Sequence, residues 1–250
     1  MAEKGDKVLT KEKETGNPKY GAGNGEKGSR LIKQLVLALL NVMFLICLAI
    51  TLTVLFRPLY YFDIEYLGIP ESSGYSAQVC RENYDVLIDY NLLVSPDKLD
   101  FPDFPMSRQG EIHFEEVKRI FVGAQWIALI GFGAFVLRIL WQRRRKDRDF
   151  RWLAMSSWVC LALVGLVGGG VLLSWEKAFV LMHQILFRND YWIFNATTDP
   201  VIKILPDTFF MHCGILILFL LLLFLTACYF LKKKLERATE KKIGADETKS

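Results

Sequence analysis

Leu140-Trp141-Gln142-Arg143-Arg144-Arg145-Lys146-Asp147-Arg148-Asp149-Phe150-Arg151-Trp152 decides the architecture of this 250-residue chain. Gln142 to Arg151 carries six basic residues against Asp147 and Asp149. It joins two apolar runs, each about 20 residues long, enough at about 1.5 Å rise per residue to cross a hydrocarbon core of about 30 Å. A short, strongly basic connection between two such runs is what the positive-inside rule puts on the cytoplasmic side.

Working outward, four apolar stretches emerge, at 31–56, 120–141, 152–174 and 208–231. The segment Pro58 to Val117 carries twelve acidic residues against Arg81, Lys98 and Arg108, which suits the outer face. The expected fold is therefore an all-α membrane protein. Its four transmembrane helices leave both termini cytoplasmic, with outer loops at 57–119 and 175–207, and the first loop folds as an extracytoplasmic cap. Lys232, Lys233 and Lys234 open a basic tail over 232–250, and residues 1–30, poor in apolar side chains, form a disordered cytoplasmic tail. The first stretch follows that long polar tail and lacks a short apolar core ending in small residues, so an uncleaved anchor is expected. Hydrophobic residues make up 52% and charged residues 23% of the chain, and the segregation hides behind a net charge of only +4. Nothing in that balance suggests nucleic acid; the basic edges are topology signals that also meet anionic lipid. Of the five cysteines only Cys80 falls clearly in an outer loop, so no disulfide framework is indicated.

The outer loops are too apolar to be plain linkers. Tyr60, Tyr61 and Tyr66 read as an interfacial aromatic belt. Ser107, after Pro102 and Pro105, is a plausible helix start, so that one helix runs from the surface through to Trp141. Glu176 to Phe187 spaces Phe179, Met182, His183 and Leu186 for one helical side. Gly165, Gly168, Gly169 and Gly170 allow close approach of a neighbouring helix or an acyl chain.

Chemistry rests on three histidines, His113, His183 and His212, each where an apolar span meets water. Histidine titrates nearest neutrality and is the natural acid–base group at such a place. In Glu111-Ile112-His113-Phe114-Glu115-Glu116-Val117-Lys118, Glu116 lies one helical turn from His113 and suits the imidazole's second nitrogen. The alternative is a solvated, charged helix end. In His183-Gln184-Ile185-Leu186-Phe187-Arg188-Asn189-Asp190-Tyr191-Trp192, a histidine precedes a cluster of ionic, amide and aromatic groups, and Asp199-Pro200 follows. The alternative there is an interfacial anchor, with Trp192 and Arg188 holding headgroup depth. His212, alone on an apolar face, suits packing or hydrogen bonding better than catalysis. Zinc, serine-hydrolase and phosphate-loop motifs are missing from the sequence, so metal and nucleotide chemistry lack support. Asn195-Ala196-Thr197 is a formal glycosylation sequon.

At these two segments the chain resembles the lipoprotein intramolecular transacylases, four-span bacterial membrane proteins. The family pattern is a Glu-x-His-Met-x-Asp-Val-Lys-like segment before the second span. A histidine near Phe, Trp and an Asp-Pro-Leu-Ile run ending in Pro follows between the third and fourth. This chain matches with Glu111, His113, Val117 and Lys118, then with His183, Phe187, Trp192, Asp199, Pro200, Ile202 and Pro206. It departs at Phe114, for Met, and at Glu116, for Asp; both changes keep the character of the side chain.

The resemblance implies transfer of the sn-2 acyl chain of a diacylglyceryl lipoprotein to the amine of its own N-terminal cysteine, giving the N-acyl lyso-form. It implies a site on the outer face of the bacterial cytoplasmic membrane, a diacylated lipoprotein substrate among membrane lipids, and no cofactor, metal or nucleotide. An α-amine with a pKa of about 8 needs a base before it attacks an ester. One of His113 and His183 serves as that base while the other protonates the departing glyceryl oxygen. The oxyanion then needs donors, with Arg188, Tyr191, Lys118 and backbone N–H groups as candidates, and Glu111, Glu116, Asp190, Trp192 and Asp199 in support. Two other readings stand beside it: a non-enzymatic tetraspan assembly or lipid-sensing protein, and an acyl hydrolase using the same histidines with water.

Overall fold

A computed structural model of the chain describes residues 19–144 and 149–247. Arg145, Lys146, Asp147 and Arg148 of the basic connection, and the first eighteen residues of the N-terminal tail, lie outside the described residues. Four helices are long and apolar enough to cross a membrane: α1 (Lys19–Leu55), α5 (Arg108–Arg144), α6 (Arg151–Leu173) and α8 (Asp207–Glu247). Three short helices follow α1, namely α2 (Pro58–Tyr66), α3 (Ile69–Ser73) and α4 (Ala77–Tyr90). Between α6 and α8 come α7 (Trp175–Leu186) and a 3₁₀ turn over Pro200–Lys203.

The helices outrun the apolar stretches that mark them. α1 already begins at Lys19, inside the stretch expected to be disordered, and α8 continues through the basic tail to Glu247. Hydropathy marks the part of a helix that sits in lipid, whereas its ends follow from cooperativity: once a turn exists, each added residue costs little. A Lys232–Glu236 pair at 3.1 Å supports the polar part of α8. In α5, 37 residues span about 55 Å, so its charged N-terminal turns project beyond the apolar part at 120–141.

In the bundle, α1 is central: α5 packs along it on one side, and α6 and α8 pack against it and each other. Val42, Leu45, Leu153, Cys160 and Leu221 form the core there. Gly131 is what lets α5 approach, because a Cβ at that position would stand 2.7 Å from the Phe44 ring. Trp152, at the start of α6, is held by Gln34 on α1 and Gln142 on α5 through bonds of 3.0 and 3.1 Å.

The segment between α1 and α5 folds as a layer with its own apolar core. Pro58 lacks the N–H that would continue α1, and it starts α2 instead. Arg57 then reaches from that corner to Asp85 at 2.9 Å and to Asp89, both on α4. Gly68 and Gly74, with φ of 60° and 80°, bracket α3 in turns that side-chain-bearing residues disfavour. Tyr60 does not join an interfacial belt. It is fully buried, stacks on Tyr84 at 3.9 Å and donates its hydroxyl to the Ile204 carbonyl at 2.8 Å, whereas Tyr66 is exposed. The cluster takes in Leu87, Phe101, Phe104 and Phe114 from one side and Val201, Ile204 and Phe209 from the other. All five cysteines are free.

Candidate active site

α5 begins at a clasp. The Ser107 hydroxyl accepts from the Gly110 N–H at 3.0 Å, and the Ser107 N–H donates to Asp199 Oδ1 at 2.7 Å, across 92 residues of sequence. Thr198 donates to the other carboxylate oxygen at 2.7 Å, so Asp199, 2% exposed, is satisfied on both sides. Gly110 makes the clasp possible, since a Cβ there would lie 2.4 Å from Asp199 Oδ1. Gly110→Ala is therefore expected to destabilise the fold by about 1–3 kcal/mol through overpacking at a buried carboxylate. Thermal unfolding in detergent checks this, and an unchanged midpoint would contradict it.

One turn beyond the clasp stands His113. α7 brings in His183: Ser174 breaks α6 in an extended conformation and caps the new helix by accepting from the Lys177 N–H. Trp175 then passes Gly214, and Phe179 meets Phe210 with ring centroids 5.7 Å apart, so α7 rises beside the start of α8. The two imidazoles come together with centroids 6.2 Å apart and planes inclined by 28°. They are 6% and 9% exposed.

Aromatic rings line the pair. Phe187 and Phe194 stand edge-on to His113 at 4.7 and 5.4 Å, Phe179 lies 4.2 Å from His183, and Trp192 stacks on His183 at 4.6 Å. His183 Nδ1 lies 2.8 Å from the Phe179 carbonyl oxygen. A carbonyl only accepts, so Nδ1 carries the proton and Nε2 keeps the lone pair that a base needs. His113 Nδ1 is buried with no partner.

Burial pushes both imidazoles below their ordinary value. His113, in the charged turns ahead of the apolar part of α5, falls to about 4, mainly because burial penalises its cation and secondarily because His183 is near. His183 is lowered by burial too, with the Phe179 carbonyl opposing. Both are neutral at rest near pH 7.

The other candidates divide. Glu116 does not hold His113; both its oxygens take the Asn189 side-chain amide at 3.1 Å, which ties α5 to the loop after α7. One helical turn sets which residues share a face, but the competing amide 73 positions away cannot be read from spacing. Glu111 pairs with exposed Arg108 at 2.6 Å. Lys118 donates to the Pro96 carbonyl at 2.6 Å and lies 4.1 Å over the Tyr90 ring, which turns its ammonium toward the segment after α4. Arg188 and Asp190 are exposed and Tyr191 is half-buried. Asp199 holds the clasp, and Trp192 is at the pair itself. His212 belongs elsewhere: its Nδ1 lies 2.9 Å from both oxygens of fully buried Asp63 on α2. The sequence reading missed Phe194, because a lone aromatic in a loop carries no periodic signal, and quoted Asn189 in its cluster without a role. Phe179, four residues before His183, was legible as its helical neighbour, whereas Phe187 entered through the family pattern and stands just past the end of α7. Among the described residues no group of His, Cys, Asp and Glu could hold a metal ion.

Four helices long and apolar enough to cross a membrane, with two imidazoles buried together between the start of α5 and the short helix α7, mark a multi-pass membrane protein. The family model described as lipoprotein intramolecular transacylase Lit matches residues 35–210, and the chain belongs to that family, a family of acyltransferases. The fold matches the membrane-integral lipoprotein intramolecular transacylase Lit from Bacillus cereus, at 32% identity and a TM-score of 0.79, over 86% of this chain and 99% of that one. Structures of two variants of that protein, with a histidine replaced by arginine or by alanine, match at 30% and 32% identity with TM-scores of 0.70 and 0.71. Each covers 88% of this chain, over 98% and 99% of its own length. No curated protein matches in sequence.

Proposed function

We propose that the pair moves the sn-2 acyl chain of a diacylglyceryl lipoprotein onto the amine of that lipoprotein's N-terminal cysteine. The observation that carries this is the 6.2 Å spacing of two buried imidazoles, one of them with its lone pair freed on Nε2. An ester carbon placed between them has its incoming nitrogen within about 3 Å hydrogen-bond reach of one imidazole and its departing oxygen within reach of the other. Burial disfavours the ammonium form of the incoming amine as it does the imidazolium, so the neutral amine attacks. As the C–N bond forms, the nitrogen becomes acidic and His183 Nε2 takes its proton. The carbonyl electron pair moves onto oxygen, then returns as the bond to the glyceryl oxygen breaks. That oxygen receives the proton back from His183 Nε2, which restores the neutral imidazole, with His113 holding the oxygen from the other side. Nucleophile and acyl donor sit on one substrate, so alignment supplies much of the acceleration.

The aromatic lining favours this reading over hydrolysis, because Phe179, Phe187, Phe194 and Trp192 leave little polar surface to hold a competing water. The positive-inside bias puts both termini in the cytoplasm and the pair on the outer face of a bacterial cytoplasmic membrane, where lipoprotein amines and diacyl lipid meet. Substrate and product are isomers. Incubation of the purified protein with a diacylated lipopeptide is therefore expected to leave the total mass unchanged while fragmentation finds one acyl group amide-linked to cysteine. Free fatty acid with a lighter peptide would refute transfer and favour the hydrolase.

A further inference from the structure

We propose that the Trp192 indole N–H is a donor to the oxyanion, an inference that rests on the acyl-transfer reading above. Trp192 Nε1 is buried and has no hydrogen-bond partner. An indole N–H only donates, and a buried donor left unpaired is costly, so it is kept where an acceptor arrives later. The acceptor's position is narrowly set, because the indole lies flat on His183 with centroids 4.6 Å apart and planes 29° from parallel. The loop that carries it is pinned: Asn189 donates to Glu116 on α5, and its side-chain oxygen accepts from the Tyr191 N–H at 3.1 Å. Trp175 Nε1 is also buried and unpartnered, but it precedes His183 by eight residues, about 12 Å along α7. Of the two indoles, Trp192 is therefore the one beside the reacting groups.

Charge argues in the same direction. When nitrogen attacks the ester carbon, the C=O electron pair goes to oxygen, and the proton removed from nitrogen makes His183 a cation. A guanidinium or ammonium stacked on that ring would oppose its protonation, whereas an indole stabilises the oxyanion without adding positive charge. Lys118 is turned to Pro96 and Tyr90 and Arg188 is exposed, whereas Trp192 is stacked on the His183 ring.

Trp192→Phe keeps an aromatic ring and deletes the N–H. With the full-length protein in lipid nanodiscs and a synthetic diacylated lipopeptide, kcat is expected to fall about a hundredfold while KM changes little, the size of losing one oxyanion donor. The pH profile of the remaining activity should keep its shape, because His183 is untouched. Should phenylalanine lower the unfolding midpoint, Trp192 replaced by benzothienylalanine, which has the indole's shape with sulfur in place of N–H, is read instead. A folded variant of either kind with kcat within threefold of the parent, or with only KM raised, would overturn the assignment while leaving acyl transfer intact. A parent protein that forms no amide-linked product would overturn the reading of the reaction and the assignment together.

Discussion

Replacing His183 by alanine is expected to slow amide-linked product formation by about 10²–10⁴-fold, the range that a positioned general base supplies. His183 is singled out because the Phe179 carbonyl commits its Nδ1 proton and leaves Nε2 as the acceptor. His113→Ala should also be severely impaired, and the double variant little worse than the more damaged single one, because residues acting as a unit are not additive. Full product yield from both single variants, measured on stable protein, would remove the pair from the mechanism. The pH profile gives an independent check. Both imidazoles are lowered from 6.5, His113 to about 4, so each titrates below a free imidazole. Any histidine limb in the rate should therefore lie below 6.5, and above it the rate should follow the substrate amine, whose ordinary pKa is about 8. A clear break at 6.5 would mean that an exposed histidine carries the reaction.

His212→Ala is expected to unfold the protein more readily, by about 3–5 kcal/mol, without entering the chemistry. The reason is Asp63: fully buried on α2, it has the His212 Nδ1 at 2.9 Å from both oxygens. Removing the imidazole leaves both oxygens of a fully buried carboxylate without that partner, and opening α2 from α8 relieves it. Asp63→Asn in the same background should recover much of the loss, because the buried charge has gone. Denaturant unfolding of the single and double variants in one detergent tests both statements. A single variant as stable as the parent would show that the pair contributes nothing net.

Residues whose neighbours are close in sequence were legible, and residues whose partners are far were not. The four spans, the start of α5 after Ser107 and the helix carrying His183 all follow from periodicity, caps and hydropathy, each decided within a window of a few turns. His113 and His183 were singled out by residue type and place, yet their approach depends on Ser107 meeting Asp199 across 92 positions. Tyr60 illustrates the same limit. Beside Tyr61 at the end of a span it has the composition of an interfacial belt, and only Tyr84, Phe209 and the Ile204 carbonyl make it core. Glu116 failed for a related reason: its own helix offered His113 as a neighbour, but a loop amide took both its oxygens.

The clasp at Gly110 and the Glu116–Asn189 bridge lie on the charged side of α5, beyond its apolar part. The imidazole spacing is thus fastened beyond the apolar part of the helix, by bonds between a helix start and a loop. Below that level the same helix leans on α1 through Gly131 and Phe44, a contact without hydrogen bonds. A thinner or thicker bilayer is met by tilting the spans, at a modest cost per ångström. The bonds that set the spacing of the two rings are thus separate from the apolar contact on which tilt acts.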